Sequence, residues 1–413
     1  MAQFNITLNQ DEILQLLSDN RGDVFQKLLT ETLNSVLLAE SKAQLGAERY
    51  ERSPFRNDSR NGSRERVLTT RIGSITLTVP RHRNQPFRTL LFDNYSRSEA
   101  ALVATMAEMV VNGVSTRKVS TVMETLCGKS FSKSTVSEVC KELDASVNDF
   151  KNRPLDEVYP FLLVDATYLK VRENGRITAK ALMIALAVTD NARREIVGFE
   201  VYDNESRETW KTFLESLKSR GLTGLRMISS DAHDGILYAI GQVFPEAAWQ
   251  RCQTHFSRNV LSYAPKKYQK AIHAALLDMY HSETIKEARK KRDGLIAEYR
   301  DVAGKAMECL ENGFESVMTV MVLPGSMRKL FRTTNHLERL NREIKRRSTV
   351  ITIFPNTPSI LRIMGSVLME QNTVYAIQQQ LAIRKADLEK LNGETGLKLI
   401  EIAKEQRRLS QAA

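Results

Sequence analysis

The 413-residue sequence has little cysteine and no long apolar run. Its four cysteines, Cys127, Cys140, Cys252 and Cys309, are too few for a disulfide framework in a chain of this length, and they point to a reducing compartment. The longest purely apolar run, Ala181 to Val188, falls far short of the roughly 20 residues that a membrane span needs. The first residues, Met1-Ala2-Gln3-Phe4-Asn5, contain no charged segment leading into an apolar one, so no secretory signal is expected. These shortages exclude a disulfide scaffold and a membrane-embedded protein, and they place the chain in the cytoplasm. Acid is short too. The 60 Lys and Arg outnumber the 49 Asp and Glu, and the net charge of +11 favours a polyanionic partner. With 42% hydrophobic and 26% charged residues the chain is not disordered, and its length allows about two to three domains.

Residues 1–48 read as helices, because Ile13, Leu16, Leu17, Val24, Leu28, Leu29, Leu33 and Val36 recur at helical spacing. The character then changes. From Arg49 to Arg88 there are ten Arg, no Lys and three acids. Within this segment Val67–Arg71 and Ser74–Val79 alternate around Ile72-Gly73 and predict a hairpin, while Asn57–Ser63 reads as turn-rich loop. Arginine matches phosphate oxygens and guanine edges, so residues 49–95 are expected to touch DNA, with Arg64 and Arg66 on the hairpin. A solvated basic face is the alternative reading.

Residues 96–150 predict three short helices. Leu102, Val103, Met106, Met109 and Val110 share one face of the first; Val119, Val122, Met123 and Leu126 share one face of the second. After the turn Cys127–Phe131, Ser132 is the expected N-cap of a third helix bearing Val136, Val139, Cys140 and Leu143. The arrangement is helix-turn-helix-like, with a longer turn than usual, and puts Lys133, Ser134, Thr135 and Ser137 at the N-terminus of a recognition helix. A plain three-helix packing unit fits the same pattern.

From Val158 the pattern turns to strands: Phe161–Val171, a tight Glu173-Asn174-Gly175 turn, Ala179–Val188, and Glu195–Tyr202. A helix over Ser206–Ser219 and a fourth strand ending at Asp231 follow. The order β-β-β-α-β-α matches a ribonuclease-H-like fold. Parallel pairing of its first and fourth strands would set Asp165 beside Asp231. The expected fold is therefore a multidomain α+β or α/β protein. Its ribonuclease-H-like core would span residues 156–255 and 331–375, interrupted by a helical insertion over 256–330. A mostly helical DNA-binding region precedes it, and a polar helical tail over 376–413 follows.

Three acids stand out by position. Asp165 follows the apolar run Phe161–Val164, Asp231 follows Leu225–Ser230, and Glu338 lies in the basic helical stretch Thr334–Arg347. Carboxylates on rigid elements suit Mg²⁺ or Mn²⁺, and in a basic protein a cluster of them points to phosphodiester chemistry by paired metals. By themselves the three are equally readable as ordinary surface acids. Asp234 is the nearest competitor and reads better as a first-turn residue favoured by the helix dipole. Arg342, four residues past Glu338, can form an intrahelical pair with it; Lys345 returns to the same face two turns on. Cys252 and His255 form a Cys-x-x-His unit, but zinc would need two further ligands, and no partner pair has suitable spacing.

Taken together, Asp165–Arg172, Ser229–Gly235, Cys252–His255 and Arg332–Asn341, with Gly113–Val119 and Ser132–Ser137 upstream, resemble the Mutator-type transposases of bacterial insertion sequences. These are a branch of the metal-dependent DDE enzymes, and the resemblance covers most of the chain. It departs only mildly at Leu337, where the family usually has Ile. The resemblance implies a DNA transposase whose partners are double-stranded DNA at terminal inverted repeats and at a target, with the protein on the nucleoid when bound. Asp165 would bridge two Mg²⁺ or Mn²⁺ ions, Asp231 and Glu338 each completing one site. Strand cleavage and attack of the freed 3′-hydroxyl on another phosphodiester would follow, without a covalent protein–DNA intermediate. It further implies DNA contacts by Arg117 and Lys118, a phosphate-holding role for Lys345 with Arg342 beside it, and a metal-free accessory role for Cys252 and His255 at the site wall or on DNA. Joining two ends calls for a homo-oligomer, at least a dimer. Two rivals share the resemblance: a catalytically inactive DNA-binding regulator, against which the three intact acids argue, and a nuclease without strand transfer, against which the N-terminal sequence reader argues.

Overall fold

A computed structural model of the chain describes residues 21–47, 51, 56–70, 73–89, 100–111, 114, 116–127, 132–141, 143–378 and 380–412. The chain divides into two compact units, Met1–Leu143 and Asp144–Ala413. Among the described residues no helix is long and apolar enough to cross a membrane.

In the first unit, helix α1 (Arg21–Leu45) lies on an antiparallel hairpin of β1 (Arg60–Thr70) and β2 (Gly73–His82). The alternation in β2 explains the packing: Ile75, Leu77 and Val79 are buried with Leu68 and Leu37, while Ser74, Thr76 and Thr78 face outward. Pairing sets Val67 opposite Thr76, Leu68 opposite Ile75 and Thr70 opposite Gly73, so Gly73 belongs to β2 and not to the turn expected at Ile72-Gly73; the shift is by two residues, which keeps each side chain on its expected face. The strand is longer than expected. Arg60–Ser63 reads as loop by composition but joins β1 through an irregularity between Arg60 and Ser63, where Gly62 adopts φ +73°, a backbone angle that suits a bulge. The expected apolar positions Ile13, Leu16 and Leu17, Arg71 of the expected first strand and Ile72 of the expected turn lie outside the described residues.

The three short helices are α2 (Ala100–Val111), α3 (Thr116–Cys127) and α4 (Lys133–Lys141), packed on one another through Met106, Val110, Val119, Met123, Val136 and Cys140. Ser132 caps α4 as its position predicts, its Oγ accepting from the Thr135 backbone N–H at 3.0 Å. The turn residues Gly128–Phe131 lie outside the described part.

The second unit is built on a mixed five-stranded sheet in the order β5-β4-β3-β6-β7. Its strands are β3 (Phe161–Glu173), β4 (Arg176–Val188), β5 (Arg194–Tyr202), β6 (Met227–Ser230) and β7 (Ala248–Arg251). Strands β3, β4 and β5 are antiparallel neighbours, whereas β3 pairs with β6, and β6 with β7, in parallel. Period-two alternation in β3 sends its side chains to two different cores. Phe161, Leu163, Leu169 and Val171 pack under α12 (Asn335–Ile351) and α13 (Thr357–Ile377), with Leu337, Leu340, Ile344 and Met364. Leu162 and Val164 face α6 (Arg207–Ser219) and α7 (Asp234–Val243), against Trp210, Phe213, Leu214 and Ile236. Before β3, α5 (Leu143–Asn152) adds Val147 to the first of these cores.

Between β7 and α12 run α8 (Gln253–Ser262), α9 (Lys266–Tyr280), α10 (Ile285–Met318) and α11 (Gly325–Phe331); α8, α9 and α10 share a core of their own around Phe256, Ile272, Leu276, Leu310 and Phe314. The polar tail contains α14 (Lys385–Glu389) and α15 (Glu394–Ala412), and it finishes the sheet. The Gln406 amide donates to the Trp249 carbonyl at 2.8 Å and accepts from the Trp249 N–H at 2.9 Å. One side chain thus imitates a neighbouring strand at an edge that would otherwise present unpaired backbone.

Candidate active site

Strand register brings the first two acids together. Leu163 pairs with Ser229 in the parallel ladder between β3 and β6, so continuing that register sets Asp165 beside Asp231. Asp231 leaves β6 one residue past its end, as its position predicts. Asp165 differs from a strand-end residue: β3 runs on to Glu173, and Asp165 sits where the parallel pairing stops and only the antiparallel pairing with β4 continues. It lies on the face covered by α12. There the Asn341 side chain donates from Nδ2 to Asp165 Oδ2 at 2.7 Å. Glu338 stands one helical turn before Asn341, in the first turn of α12. All three acids are partly exposed.

Both ends of α12 are pinned. Thr334 precedes the helix but does not cap it with its side chain; its N–H and its hydroxyl both approach the buried Cys252 Sγ, at 3.5 and 3.4 Å. The Gln253 N–H donates to the Arg332 carbonyl at 3.0 Å. These contacts latch the start of the Glu338 helix to the end of β7. At the other end Thr352 takes φ +58° and ψ −54° in a three-residue turn closed by the Ile353 N–H on the Ile351 carbonyl. Phe354 then exchanges backbone hydrogen bonds with Lys170 and Arg172 of β3, each 2.8 Å. A β-branched residue at that angle is strained by about 1–3 kcal/mol. The strain persists because the buried Phe354, two residues on, is held to β3 by both of its backbone hydrogen bonds.

The electrostatics agree with this geometry. Burial pushes the Asp165 carboxyl up to about 6, and the charge of Asp231 adds to the shift, while the Ala166 N–H and His255 oppose it. His255 is raised above its ordinary value, first by Cys252 and then by Asp165 and Asp231, so it stands near the acids. Burial alone pushes the Cys252 thiol up, but His255 and Thr334 together bring it below its ordinary value. Cys252 is therefore an acceptor that holds the start of α12, with His255 close to Asp165 and Asp231. If so, Cys252→Ser should fold with reduced activity, whereas Cys252→Val loses both contacts to Thr334 and should cost about 1–3 kcal/mol in urea unfolding. Elemental analysis of the wild type is expected to find no stoichiometric zinc; one zinc per chain would overturn the latch.

Asp234, the nearest competitor, and its neighbour His233 each have a partner of their own. Asp234 is exposed in the first turn of α7 and pairs with Arg207 at 2.7 Å. His233 is the N-cap of α7, its Nδ1 accepting from the Gly235 N–H. Arg342 and Lys345 are exposed on α12, and among the described residues no ion pair joins Arg342 to Glu338. On the first unit Arg64, Arg117, Lys118, Thr135 and Ser137 are exposed and Arg66 is partly buried; the side chains of Lys133 and Ser134 lie outside the described part.

One acid escaped the sequence reading. Glu205 sits in the loop just before α6, and its carboxyl is raised by burial first and also by the charge of Asp231. A Cβ on Gly235 would come within 2.9 Å of the Ser206 backbone, so the bare glycine lets the start of α6 close onto the start of α7. Gly235 was the only signal in the sequence for that approach.

The arrangement is rich in hard oxygen donors. Among the described residues, no three His, Cys, Asp or Glu side chains form a group that would hold a metal ion as they stand. Yet Asp231 Oδ1 and Glu338 Oε1 are buried oxygens with no hydrogen-bond partner. Orphaned carboxylate oxygens beside a raised carboxyl fit a divalent cation, which would satisfy the oxygens and offset the repulsion between the acids.

Comparison with known proteins identifies the family of the chain. The sequence model described as "Transposase, Mutator family" matches residues 1–377. The transposase for insertion sequence element IS256 in transposon Tn4001 of Staphylococcus aureus is 42% identical over 374 residues, covering 90% of this chain and 96% of that protein. The transposase for insertion sequence element ISRM5 of Rhizobium meliloti is 42% identical over 355 residues, covering 86% and 89%. The transposase for insertion sequence element IS1081 of Mycobacterium tuberculosis is 36% identical over 364 residues, covering 87% and 88%.

Proposed function

The chain belongs to the Mutator family of transposases, and on that premise we propose that it binds the terminal inverted repeats of a mobile element and catalyses divalent-metal-dependent strand cleavage and strand transfer. The observation that carries the reading is the meeting of Asp165, Asp231 and the Glu338 helix on one sheet, through the β3–β6 register and the Asn341–Asp165 hydrogen bond. The strand order, with its three antiparallel strands and two parallel ones, supports a ribonuclease-H-like core.

Asp165, Asp231 and Glu338 would hold Mg²⁺ or Mn²⁺, two ions being expected. When bound, such ions lower the pKa of an attacking water or 3′-hydroxyl and neutralise charge on the leaving oxygen. The protein's own contribution is position. Register fixes Asp165 against Asp231, Cys252 and Phe354 fix the two ends of α12, and the exposed Lys345 and Arg342 offer cations to the DNA backbone. No side-chain nucleophile is required. Since two element ends must be brought together, the working form is at least a dimer.

End recognition belongs to the Arg-rich hairpin and the α2–α4 helices. In binding assays with the full chain and a duplex carrying the terminal repeat, Arg64→Ala should weaken binding to all sequences and lower the salt slope by about 1. Lys133→Ala or Thr135→Ala should instead relax discrimination between repeat and scrambled DNA, by about 1–3 kcal/mol if either side chain reads a base. Unchanged discrimination in both α4 variants would remove α4 from the role of sequence reader.

A further inference from the structure

The amide of Asn341 has one end engaged and the other empty. Its Nδ2 donates to Asp165 Oδ2 at 2.7 Å, while Asp165 Oδ1 accepts from the Ala166 N–H at 2.9 Å. An ionised carboxylate only accepts, so the nitrogen of the amide must face Asp165 and the oxygen must face away. That oxygen, Asn341 Oδ1, is buried and has no hydrogen-bond partner. Leaving a buried amide oxygen without a donor costs about 1–3 kcal/mol. A side chain that only needed to hold Asp165 could do so without carrying such an oxygen into the interior.

Two more oxygens share this condition. Asp231 Oδ1 and Glu338 Oε1 are also buried and unpartnered, Glu338 lying one turn before Asn341 on α12. Asn341 is bonded to Asp165, Asp231 acts on the Asp165 charge, and Glu338 shares a helix with Asn341, so the three orphaned oxygens belong to the elements that meet at Asp165. Among the described residues no N–H serves any of them, and a hard cation is a partner that carboxylate and amide oxygens can share.

We propose that Asn341 supplies a neutral oxygen ligand to the divalent cation held by Asp165, Asp231 and Glu338, while its nitrogen fixes Asp165 beforehand. This rests on reading the acid cluster as a cation centre. A neutral ligand suits the place because it adds coordination without adding charge to acids that already repel one another. The sequence contained the residue but no sign of its role, since Asn341 is one polar position among many on a basic helix.

The test is Mn²⁺ binding, with the metal alone as probe, by the full chain without DNA. Free Mn²⁺ is followed by electron paramagnetic resonance, and metal-free thermal melts check that each variant is folded. Asn341→Ala should raise the Kd by about 10–100-fold. Asn341→Asp keeps an oxygen at the position but, when ionised, cannot donate to Asp165. A ligand role therefore predicts a Kd within about tenfold of wild type for this variant. A role limited to clamping Asp165 predicts that it binds as weakly as alanine or worse, because two carboxylates then face each other, and that result would overturn the proposal. So would wild-type affinity in Asn341→Ala. The aspartate variant nearly matches the amide in shape and decides the question alone if alanine does not fold. Asp165→Asn is the control: if it binds Mn²⁺ as tightly as wild type, the cation centre itself is wrong, whereas loss of binding there with unchanged binding in both Asn341 variants removes Asn341 alone.

Discussion

Asp165→Asn, Asp231→Asn and Glu338→Gln are each expected to lower strand cleavage by about 10³-fold or more, since several kcal/mol of metal-derived charge stabilisation at about 1.36 kcal/mol per tenfold amounts to that. Binding to terminal-repeat DNA should change little, because each substitution keeps the shape of the side chain and leaves the first unit untouched. Stability should move the other way for Asp165. Its carboxyl is raised to about 6 by burial and by Asp231, against 3.8 for an ordinary aspartate. A raised carboxyl disfavours the folded, ionised state: the penalty is absent below pH 3.8, grows between 3.8 and 6, and is complete above 6. Asp165→Asn removes a charge that costs of order 1–3 kcal/mol at pH 7.5 in the metal-free protein. Its melting temperature at that pH should match or exceed wild type, and the advantage should fade as the pH falls below 5. A variant that is inactive because it is unfolded would show the opposite. Near wild-type cleavage by any of the three would remove that acid from the metal site.

Removal of divalent cations should abolish cleavage altogether, and Mg²⁺ or Mn²⁺ should restore it. The donors in the cluster are carboxylate and amide oxygens, which suit these ions, whereas zinc favours thiolate and imidazole. Ca²⁺ should bind and stabilise the protein yet support little or no cleavage, because its longer bonds and looser geometry place the oxygens of an in-line displacement poorly. A zinc-selective chelator should have no effect, Cys252 being engaged with Thr334. Full cleavage in Ca²⁺, or inhibition by the zinc chelator alone, would contradict the oxygen-ligand account.

The strands and their acids were legible because a short apolar run is a local signal. Phe161–Val164 and Met227–Ser230 announce buried parallel strands, and the acids that follow them stand out against that apolar background. The alternation of the hairpin strands was legible in the same way, though not their register, and the Ser132 cap was legible because a capping hydroxyl bonds only three residues ahead. What escaped were contacts between residues distant in sequence. Cys252 was recognisable as half of a Cys-x-x-His unit, but its partner Thr334 is 82 residues away and carries no mark of the contact. Glu205 gave no sign of lying near Asp231, and Gln406, in a tail whose composition suggested no chemistry, closes the sheet at Trp249. Asp165 was read at the end of the apolar run but inside the strand Phe161–Val171, which β3 extends by two residues to Glu173. Those last two residues, Arg172 and Glu173, pair with Ile177 and Arg176 of β4.

The most direct test of a transposase built on these three acids is to follow both strands of a duplex carrying the terminal inverted repeat. The full chain is incubated with it in Mg²⁺, beside Asp165→Asn, and every product end is sequenced. The wild type should cut at the repeat boundary, leave a 3′-hydroxyl, and join that end to a second phosphodiester, while Asp165→Asn binds the duplex and yields neither product. Cleavage without any joined product would reduce the activity to that of a nuclease. Equal cleavage by wild type and Asp165→Asn would contradict the account outright.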